Sequence, residues 1–245
     1  MATQTRAAIV TGSSQGIGAA VAERLAADGL AVVINYSSKS EPAEALVEKI
    51  ERAGGRAIAV RADVSDPAAV AQLFDDAAKA FGGVDVLVNN AGIMKLAPMA
   101  ETTDELFDQT IAINLKGVFN GLREAAKRLR EGGRIVSFSS SVVGLYQPTY
   151  AAYAATKAGI EAMSHILSKE LGPKKITVNV IAPGPVATKL FLDGKSDDEI
   201  KPIVARTPLG RLGEPDDIAG AVSLLASEDG GWINGQVLRV NGGII

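Results

Sequence analysis

The 245-residue sequence predicts an α/β fold, because seven short apolar segments alternate with six longer amphipathic segments. The apolar segments are rich in Val, Ile and Ala, which is typical of parallel strands that are buried on both faces. The alternation of strands and helices implies right-handed crossovers. We therefore expect a doubly wound (Rossmann) parallel sheet of seven strands with helices on both faces.

The predicted elements fill the chain in order, which indicates one domain over residues 1–245. The apolar runs give the candidate strands Ala7–Thr11, Ala31–Asn35, Ala57–Arg61, Val84–Asn89, Gly133–Ser139, Ile176–Ala182 and Gln236–Val240. Each of the first six strands is followed by one amphipathic stretch, and these give the candidate helices Gly16–Asp28, Pro42–Ala53, Pro67–Phe81, Asp104–Arg130, Tyr150–Leu171 and Pro215–Ser227. No stretch is left for a second domain.

The least regular stretch of the chain is Pro183–Thr207, which follows the sixth strand. It contains Pro, Gly and a charged run from Asp193 to Glu199. Long irregular segments inside compact domains are usually functional or disordered. We expect a mobile lid over the substrate near residues 183–207, and the alternative is a solvated connector.

Composition argues against several classes of function. The net charge of −3 argues against a general nucleic-acid binder. The chain has no cysteine, which excludes disulfides and cysteine-ligated zinc, and we expect no metal site. The one histidine, His165, is expected to serve packing or an interface. The N-terminal segment Met1–Arg6 has no signal-peptide core, and no apolar run approaches the roughly 18 residues of a membrane span. We expect a soluble cytoplasmic protein that does not bind membranes.

A glycine-rich turn separates the first strand from the first helix. Gly12, Gly16 and Gly18 lie in the segment Thr11–Gly18. Glycines here permit a tight turn, close approach of the backbone to a pyrophosphate and close helix–strand packing. The N–H groups and the positive dipole end of the following helix favour phosphate. The segment predicts a dinucleotide site, and the alternative is a tight turn without a ligand.

The residues after the second strand favour NADP over NAD. An acidic residue at this place would bind the adenosine ribose and favour NAD. Here the strand continues into Tyr36, Ser37, Ser38 and Lys39, with no acid before Glu41. The hydroxyls and the lysine can bind a 2′-phosphate that no carboxylate repels. The alternative is that Lys39 is an ordinary solvated loop lysine.

Tyr153 and Lys157 are four residues apart on a predicted helix and therefore lie on one face. An ammonium close to a phenol lowers the pKa of the phenol from its usual value of about 10. Such a tyrosine can exchange a proton with a carbonyl or alcohol oxygen. With a bound dinucleotide the pair predicts reversible carbonyl reduction, with alcohol oxidation that accelerates as the pH rises. The alternative is a helix-packing tyrosine beside a solvated lysine.

In order and spacing, these motifs resemble the short-chain dehydrogenase/reductase family across essentially the whole chain. The matching elements are the glycine-rich turn, Asp63-Val64, Asn89-Asn90-Ala91-Gly92, Asn114, a serine after the fifth strand, Tyr153-xxx-Lys157 and Pro183-Gly184. The segments Gly210–Ile218 and Val240–Gly243 are similar to the family's C-terminal region. The segment Asp229–Gln236 most resembles the polyhydroxynaphthalene-reductase-like members, with the 3-oxoacyl-carrier-protein reductases as near neighbours.

The resemblance implies a role for each matching residue. Tyr153 would be the catalytic acid/base, Lys157 would lower its pKa and bind the nicotinamide ribose, and Asn114 would hold a water in the proton relay. Asp63 would face the adenine amino group, and Thr188 would reach the nicotinamide amide. The implied cofactor-binding residues are Gly12, Ser14, Gln15, Gly16, Ile17, Gly18, Tyr36, Ser37, Ser38, Lys39, Asp63, Val64 beside the adenine ring, Asn90, Ala91, Gly92, Tyr153, Lys157, Pro183, Gly184, Val186 and Thr188.

The resemblance also implies a catalytic serine that polarises the substrate carbonyl. Three serines, Ser139, Ser140 and Ser141, are consecutive. The family's usual spacing of thirteen residues before the tyrosine selects Ser140. The run that follows the triplet resembles the family's run directly after its serine, which would select Ser141. We expect Ser140.

The loops at the carboxyl ends of the strands set the shape of the substrate in such folds. These loops are mainly apolar with scattered hydroxyls, which suits a moderately hydrophobic ketone better than a highly charged compound. The expected lining residues are Ile93, Met94, Leu96, Leu145, Tyr146, Gln147, Tyr150, Pro185, Phe191 and Leu192. The leading interpretation is NADP-dependent reduction of a ketone to a secondary alcohol.

Two alternative functions and an oligomeric state complete the expectations. One alternative is a 3-oxoacyl-carrier-protein reductase, with Arg128, Arg130 and Arg134 as a basic rim for an acidic carrier. The other is a non-catalytic NAD(P)-sensing regulator. The helices Asp104–Arg130 and Tyr150–Leu171 resemble those that form four-helix interfaces in the family, which implies a homotetramer.

Overall fold

The computed structural model describes residues 5–245. Residues 1–4, which begin the N-terminal segment Met1–Arg6 considered above, lie outside the described residues. Within the described range, no helix is both long and apolar enough to cross a membrane.

Seven strands within residues 5–245 form one sheet in which every pair of neighbours is parallel. The strands are β1 (Ala7–Val10), β2 (Ala31–Tyr36), β3 (Arg56–Arg61), β4 (Val84–Asn89), β5 (Leu129–Phe138), β6 (Thr177–Pro183) and β7 (Val237–Val240). Their order is β3-β2-β1-β4-β5-β6-β7, which reverses direction between β1 and β4. A crevice opens outside the carboxyl ends of the strands where the order of an α/β sheet reverses. The predicted doubly wound parallel sheet is confirmed.

Ten α-helical segments lie within the described range. They are α1 (Gly16–Ala27), α2 (Glu41–Arg52), α3 (Pro67–Phe81), α4 (Asp104–Thr110), α5 (Gly117–Arg128), α6 (Val142–Leu145), α7 (Ala151–Glu170), α8 (Lys189–Leu192), α9 (Asp197–Arg206) and α10 (Pro215–Ala226). Short 3₁₀ turns lie at Met99–Glu101, Gly172–Lys174 and Asp229–Trp232.

The core has two apolar layers because successive strand residues face opposite sides of the sheet. Val10 of β1 packs into a layer that includes apolar residues of α1, α2 and α10. Its neighbour Ile9 packs into a second layer with apolar residues of α3, α5 and α7. Burial on both faces explains why the strands are continuous apolar runs.

The predicted helix Asp104–Arg130 differs from the structure in its hydrogen-bond pattern and in its end. A π-helical segment, Ile111–Lys116, joins α4 to α5 without a break in the helical backbone. The helix ends at Arg128, since β5 begins at Leu129 rather than at the predicted Gly133 and pairs with Val84 of β4. A register shift between Val84 and Val86 accommodates this early start.

The stretch Pro183–Thr207 is more regular than its composition suggests, because it contains the helices α8 and α9. The Thr188 hydroxyl accepts a hydrogen bond from the Phe191 N–H and caps α8. Ser196 and Glu199 form a capping box that begins α9, so part of the charged run is a helix start rather than a solvated loop. We refer to the segment 188–206, which carries both helices, as the lid segment.

Candidate active site

A cleft with about 1120 Å³ of space, part of it open to solvent, lies at the carboxyl edge of the sheet. Ten of the residues predicted for catalysis or cofactor binding line it: Ile17, Asn90, Gly92, Ser140, Tyr153, Lys157, Pro183, Gly184, Val186 and Thr188. Outside this lining lie Gly12, Ser14, Gln15, Gly16, Gly18, Tyr36, Ser37, Ser38, Lys39, Asp63, Val64, Ala91 and Asn114.

Tyr153 and Lys157 occupy one face of α7, as their spacing predicts, and both border the cleft. The Lys157 Nζ lies 5.4 Å from the centre of the Tyr153 ring. Lys157 is only 4% exposed, and its ammonium donates a hydrogen bond of 2.9 Å to the Phe138 carbonyl at the end of β5. The strand end therefore holds the ammonium beside the phenol.

The pKa shifts of this pair differ from the expectation. Burial raises the pKa of Tyr153 to about 12, although a hydrogen bond with Ser140 acts to lower it. Burial lowers the pKa of Lys157 to about 8. The predicted lowering of the tyrosine pKa is therefore wrong for this structure, because loss of hydration on burial is the largest influence on that pKa and raises it. Lys157, rather than Tyr153, has its pKa near neutral pH.

The three consecutive serines lie in three different environments. Ser139 is buried, and its hydroxyl donates a 2.6 Å hydrogen bond to Glu161 Oε1. Ser141 is buried as well, and its hydroxyl accepts a hydrogen bond from Asn241 Nδ2. Ser140 is less buried than its two neighbours, and its side chain is the one of the three that acts on the pKa of Tyr153. The geometry thus favours Ser140 as the serine that is available to a substrate.

Asn114 lies in the π-helical segment and is completely buried. Its Oδ1 accepts a hydrogen bond from the Ile93 N–H, and its Nδ2 donates one to the Ile93 carbonyl, both at 2.8 Å. A Cβ placed on Gly92 would lie 3.3 Å from Asn114 Oδ1 and 3.8 Å from Lys157 Nζ, so the three residues are neighbours. The side chain of Asn114 therefore clamps the loop after β4 through one donor and one acceptor of its amide.

Hydrogen bonds join the glycine-rich turn to the ends of β2 and β4, the two strands that flank β1. Asn90 Nδ2 donates to the carbonyls of Thr11 and Gly12, and the Gly12 N–H donates to Asn35 Oδ1. A Cβ on Gly18 would lie 2.5 Å from Asn90 Nδ2, which explains the need for glycine there. Asn35, at the buried end of β2, is a positioning residue for this turn that the sequence interpretation missed.

The start of α1 suits a diphosphate. Gln15 at its N-cap makes no side-chain hydrogen bond to the helix, and its first turn contains no acidic residue. The first N–H groups of a helix and its positive dipole end favour an anion. Thr188 begins the lid segment and lies 3.8 Å from the position that a Gly16 Cβ would take. The turn and the lid segment therefore face each other across one end of the cleft.

Arg61, at the end of β3, is a second cation beside the end of β2, and the sequence interpretation did not identify it. Tyr36 pairs in register with Arg61 of β3, and the Arg61 Nε donates a 3.2 Å hydrogen bond to the Ser37 carbonyl. Arg61, Ser37, Ser38 and Lys39 are exposed. Because the carboxyl ends of parallel strands meet at one edge, the last residue of the third strand could have indicated this neighbour.

Asp63 and Val64 follow β3, and the first side chain is exposed whereas the second is buried. The Asp63 Oδ1 accepts hydrogen bonds from the N–H and the hydroxyl of Ser65, and the side chain is exposed. Val64 is buried in the second core layer, where a Cβ on Gly117 would come within 2.7 Å of it. Packing within the core therefore accounts for Val64, which was expected beside the adenine ring.

The wall beyond Tyr153 is mainly apolar, as expected. Of the residues predicted to form it, Ile93, Met94, Leu145, Gln147, Tyr150, Pro185 and Phe191 line the cleft, whereas Leu96, Tyr146 and Leu192 do not. The sequence interpretation missed Val142, Leu190, Ile203, Arg206 and Ile244, which also line it. Three of these lie on α8 and α9, whose helical faces the interpretation did not predict.

Comparison with known proteins gives matches over nearly the full length. Residues 12–245 match a family model described as enoyl-(acyl carrier protein) reductase. A short-chain type dehydrogenase/reductase of Picea abies is 47% identical over 248 residues, covering 97% of this chain and 92% of that protein. A chloroplastic NADPH-dependent aldehyde reductase-like protein of Arabidopsis thaliana is 46% identical over 254 residues, covering 98% and 94%. A short chain dehydrogenase from Burkholderia cenocepacia J2315, crystallised in complex with NADP, matches with a TM-score of 0.93 and 41% identity, covering 99% and 98%.

Proposed function

Because the chain belongs to the short-chain dehydrogenase/reductase family and is therefore an oxidoreductase, we propose that it reversibly reduces an apolar ketone to a secondary alcohol with NADP. One observation carries the proposal. Ser140, Tyr153 and Lys157 converge on one cleft whose far end faces the glycine-rich turn. This arrangement has room for a carbonyl compound and a dinucleotide side by side.

The three side chains divide the work on the carbonyl oxygen. Tyr153 keeps its proton at neutral pH, since its pKa lies at about 12, and donates that proton to the oxygen in the direction of reduction. The Ser140 hydroxyl donates a hydrogen bond to the same oxygen as negative charge develops on it. The Lys157 ammonium stabilises the charge that Tyr153 acquires when its proton leaves. When bound, the reduced nicotinamide supplies the hydride.

Several features of the chain support NADP as the cofactor. The start of α1 offers N–H groups without a competing carboxylate. Ser37, Ser38, Lys39 and Arg61 at the ends of β2 and β3 suit a 2′-phosphate, which two cations can neutralise. The names of the similar Arabidopsis and Burkholderia proteins mention NADPH and NADP and point the same way.

The lid segment supports an apolar substrate. Leu190 and Phe191 of α8 and Ile203 of α9 line the cleft together with Tyr150. Closure of these side chains over a bound ketone would exclude water from the reacting atoms. A small carbonyl compound with an aromatic or cyclic body fits this lining best.

The three arginines expected to bind an acidic carrier protein are bound to other groups of the fold, which disfavours the carrier-protein alternative. Arg128 forms ion pairs with Asp75 and Glu124, and Arg130 pairs with Asp85 at 2.8 Å. Arg134 donates its hydrogen bonds to backbone carbonyls, including those of Gly132 and Gly133. Because these cations are already engaged within the fold, they do not form a free surface for an acidic carrier.

We further propose that the enzyme is a homotetramer. A tetramer with D2 symmetry needs at least two different self-complementary interfaces. Phe107, Phe119 and Ile166 are exposed on α4, α5 and α7 and suit one interface. Trp232, which is 98% exposed, and Val237 on the edge strand β7 suit the other.

The proposal is tested by replacing the proton donor. Wild-type enzyme should oxidise NADPH in the presence of aryl and cyclic ketones, and Tyr153→Phe should lower kcat at least about a hundredfold, because the ring remains but the proton is gone. Fluorescence titration with NADPH should show that the variant still binds the cofactor. Unchanged turnover by Tyr153→Phe would refute the assignment. A regulator without catalytic activity would oxidise NADPH in neither form.

A serine series tests the choice within the triplet. Ser140→Ala should lower kcat about a hundredfold, since it removes one donor to the developing oxyanion. Ser141→Ala should retain most of the activity because its hydroxyl serves Asn241. The opposite result would assign the catalytic role to Ser141.

A further inference from the structure

The charged side chains that line the cleft are all positive. Among the described residues that form its lining, Lys157 and Arg206 are cationic and none is a carboxylate. The Lys157 ammonium is buried and already donates to the Phe138 carbonyl. The other polar side chains of the lining, among them Gln147 and Tyr150, are neutral at pH 7. Arg206 is therefore the charged group of the lining that the reaction does not use.

Arg206 is the last residue of α9, in the lid segment. It lies three residues after Ile203, so both side chains are on the same helical face, and both line the cleft. Leu190 and Phe191 of α8 complete this inner face. The lid segment thus contributes three apolar residues and one arginine, which is partly exposed to solvent, to the lining of the cleft.

The guanidinium of Arg206 has no ion pair or hydrogen bond within residues 5–245. Three acidic residues near it in the sequence are engaged with other groups. Asp198 pairs with Lys201 at 2.8 Å, and Glu199 closes the capping box with Ser196. Asp217 accepts two hydrogen bonds from Arg211.

A cation in the last turn of a helix stabilises the helix dipole wherever its side chain points. That role does not require a position in the cleft lining or the absence of a carboxylate there. A planar guanidinium is the side chain best suited to bind a carboxylate with two parallel hydrogen bonds. An apolar cleft with one such group at its lid favours a substrate with an apolar body and one acidic end.

We infer that Arg206 is a specificity-determining residue, which pairs with a carboxylate on the substrate away from the reacting carbonyl. The inference rests on the proposed reductase function and names its substrate class as apolar oxo acids. It assigns no part of the chemical step to Arg206. Its contribution should therefore be found mainly in KM, as for an interaction made equally in the ground state and the transition state.

Matched pairs of carbonyl compounds test this inference. The pairs are 4-acetylbenzoate with methyl 4-acetylbenzoate, and 4-formylbenzoate with methyl 4-formylbenzoate, each assayed by NADPH oxidation. Arg206→Gln should lower kcat/KM for the acids about tenfold, equivalent to ~1.4 kcal/mol, and change it less than about twofold for the esters. Arg206→Glu should enlarge the loss for the acids, whereas Arg206→Lys should restore part of it.

Lys201→Gln provides the matched control. Lys201 lies on the same helix, pairs with Asp198 and does not line the cleft, so its loss should affect acids and esters equally. Raising the ionic strength should reduce the preference of wild type for the acids and leave that of Arg206→Gln unchanged. The melting temperature of each variant, followed by circular dichroism, separates a folding defect from a change in specificity.

The outcomes are distinguishable. A loss in Arg206→Gln that is equal for acids and esters would overturn the role of Arg206 while leaving the reductase function intact. An acid-selective loss of the same size in the Lys201→Gln control would do the same. No NADPH oxidation by wild type with any of the four compounds or with the ketone panel above would refute the reductase function and the inference with it.

Discussion

Lys157 governs the predicted pH dependence of the reaction. Its pKa is lowered by burial to about 8, so the ammonium is charged below that pH and loses its charge as the pH rises through it. Reduction needs the charged form, because the ammonium stabilises the phenolate that forms on Tyr153. We expect kcat/KM for ketone reduction to be constant between pH 6 and 7 and to fall above about pH 8, measured at constant ionic strength.

Lys157→Arg is the control for this pH profile. A guanidinium stays charged over the whole range, so the decline near pH 8 should disappear even if the absolute rate is lower. A decline that persists in this variant would assign the titration to another group. Because Tyr153 has a pKa of about 12, it should hold its proton throughout the range measured.

Arg61 gives a second prediction for a single residue. Its Nε donates to the Ser37 carbonyl at the proposed 2′-phosphate site. Arg61→Gln should weaken NADPH binding about tenfold and leave NADH binding within about twofold, because only NADPH has the charge that Arg61 would neutralise. Fluorescence titration with both reduced cofactors measures the two affinities.

The control for Arg61 lies on the same strand. Arg56 begins β3, and its guanidinium lies 5.3 Å from the centre of the Phe81 ring, at the edge of the sheet remote from the cleft. Arg56→Gln should leave both affinities unchanged. Equal weakening of NADPH and NADH by Arg61→Gln would mean that Arg61 supports the loop rather than the phosphate.

Among the elements, the helical stretch from Asp104 to Arg128 shows what a sequence pattern can and cannot predict. Its helical character followed from its amphipathic pattern, and its continuity is confirmed by the helical backbone between α4 and α5. The π-helical segment was not predictable from that pattern, because one extra residue per turn depends on tertiary contacts such as those of Asn114 with Ile93.

The two helices of the lid segment were missed for a different reason. The hydrophobic pattern of α9 is short and includes Pro202, so composition favoured an irregular loop. The Ser196-x-x-Glu199 capping signal was nevertheless present in the sequence. Arg206 and Ile203 could have been assigned to one face if that helix start had been recognised.

Asn114 is the basis of a prediction about the π-helical segment. Asn114→Ala removes two hydrogen bonds to Ile93 and leaves partly buried main-chain groups unpaired, at a cost of about 2 kcal/mol. We expect the melting temperature to fall by about 4–8 °C. We also expect kcat to fall about tenfold, because the loop that carries Gly92 lies against Lys157.

Asn120 supplies the matched comparison. It is a buried amide on α5, and its Nδ2 donates to the Val64 carbonyl at 2.9 Å, away from the cleft. Asn120→Ala should lower the melting temperature by a similar amount and leave kcat within about twofold. Equal losses of kcat in both variants would show that Asn114 acts through general stability alone.

At the scale of the whole molecule, the fold was predictable because strands that are buried on both faces have continuous apolar sequences. Val32, Val33 and Ile34 of β2 are consecutive and fully buried, a pattern that a half-exposed sheet does not produce. The pKa order of Tyr153 and Lys157 was not predictable, because it depends on how much water the packed α7 and β5 remove from each group.

The proposed tetramer yields a prediction about assembly. Phe119 on α5 is 45% exposed, and the guanidinium of Arg123 lies 5.2 Å from its ring centre. Phe119→Glu should prevent burial of this face and halve the mass measured by light scattering, because a charge without a partner is costly to bury. Leu209→Glu, at an exposed apolar residue outside these helices, should leave the mass unchanged.

Every side chain that the proposed chemistry uses lies at the carboxyl edge of the sheet, and the opposite edge carries none of them. Lys79 is exposed in the last turn of α3, just before β4 enters the sheet from that opposite edge. Since the chain has no cysteine, Lys79→Cys would give it a single thiol. Coupling that thiol to a resin would attach the enzyme at the amino edge of the sheet. The opening of the cleft would then face the substrate solution, as an immobilised biocatalyst requires.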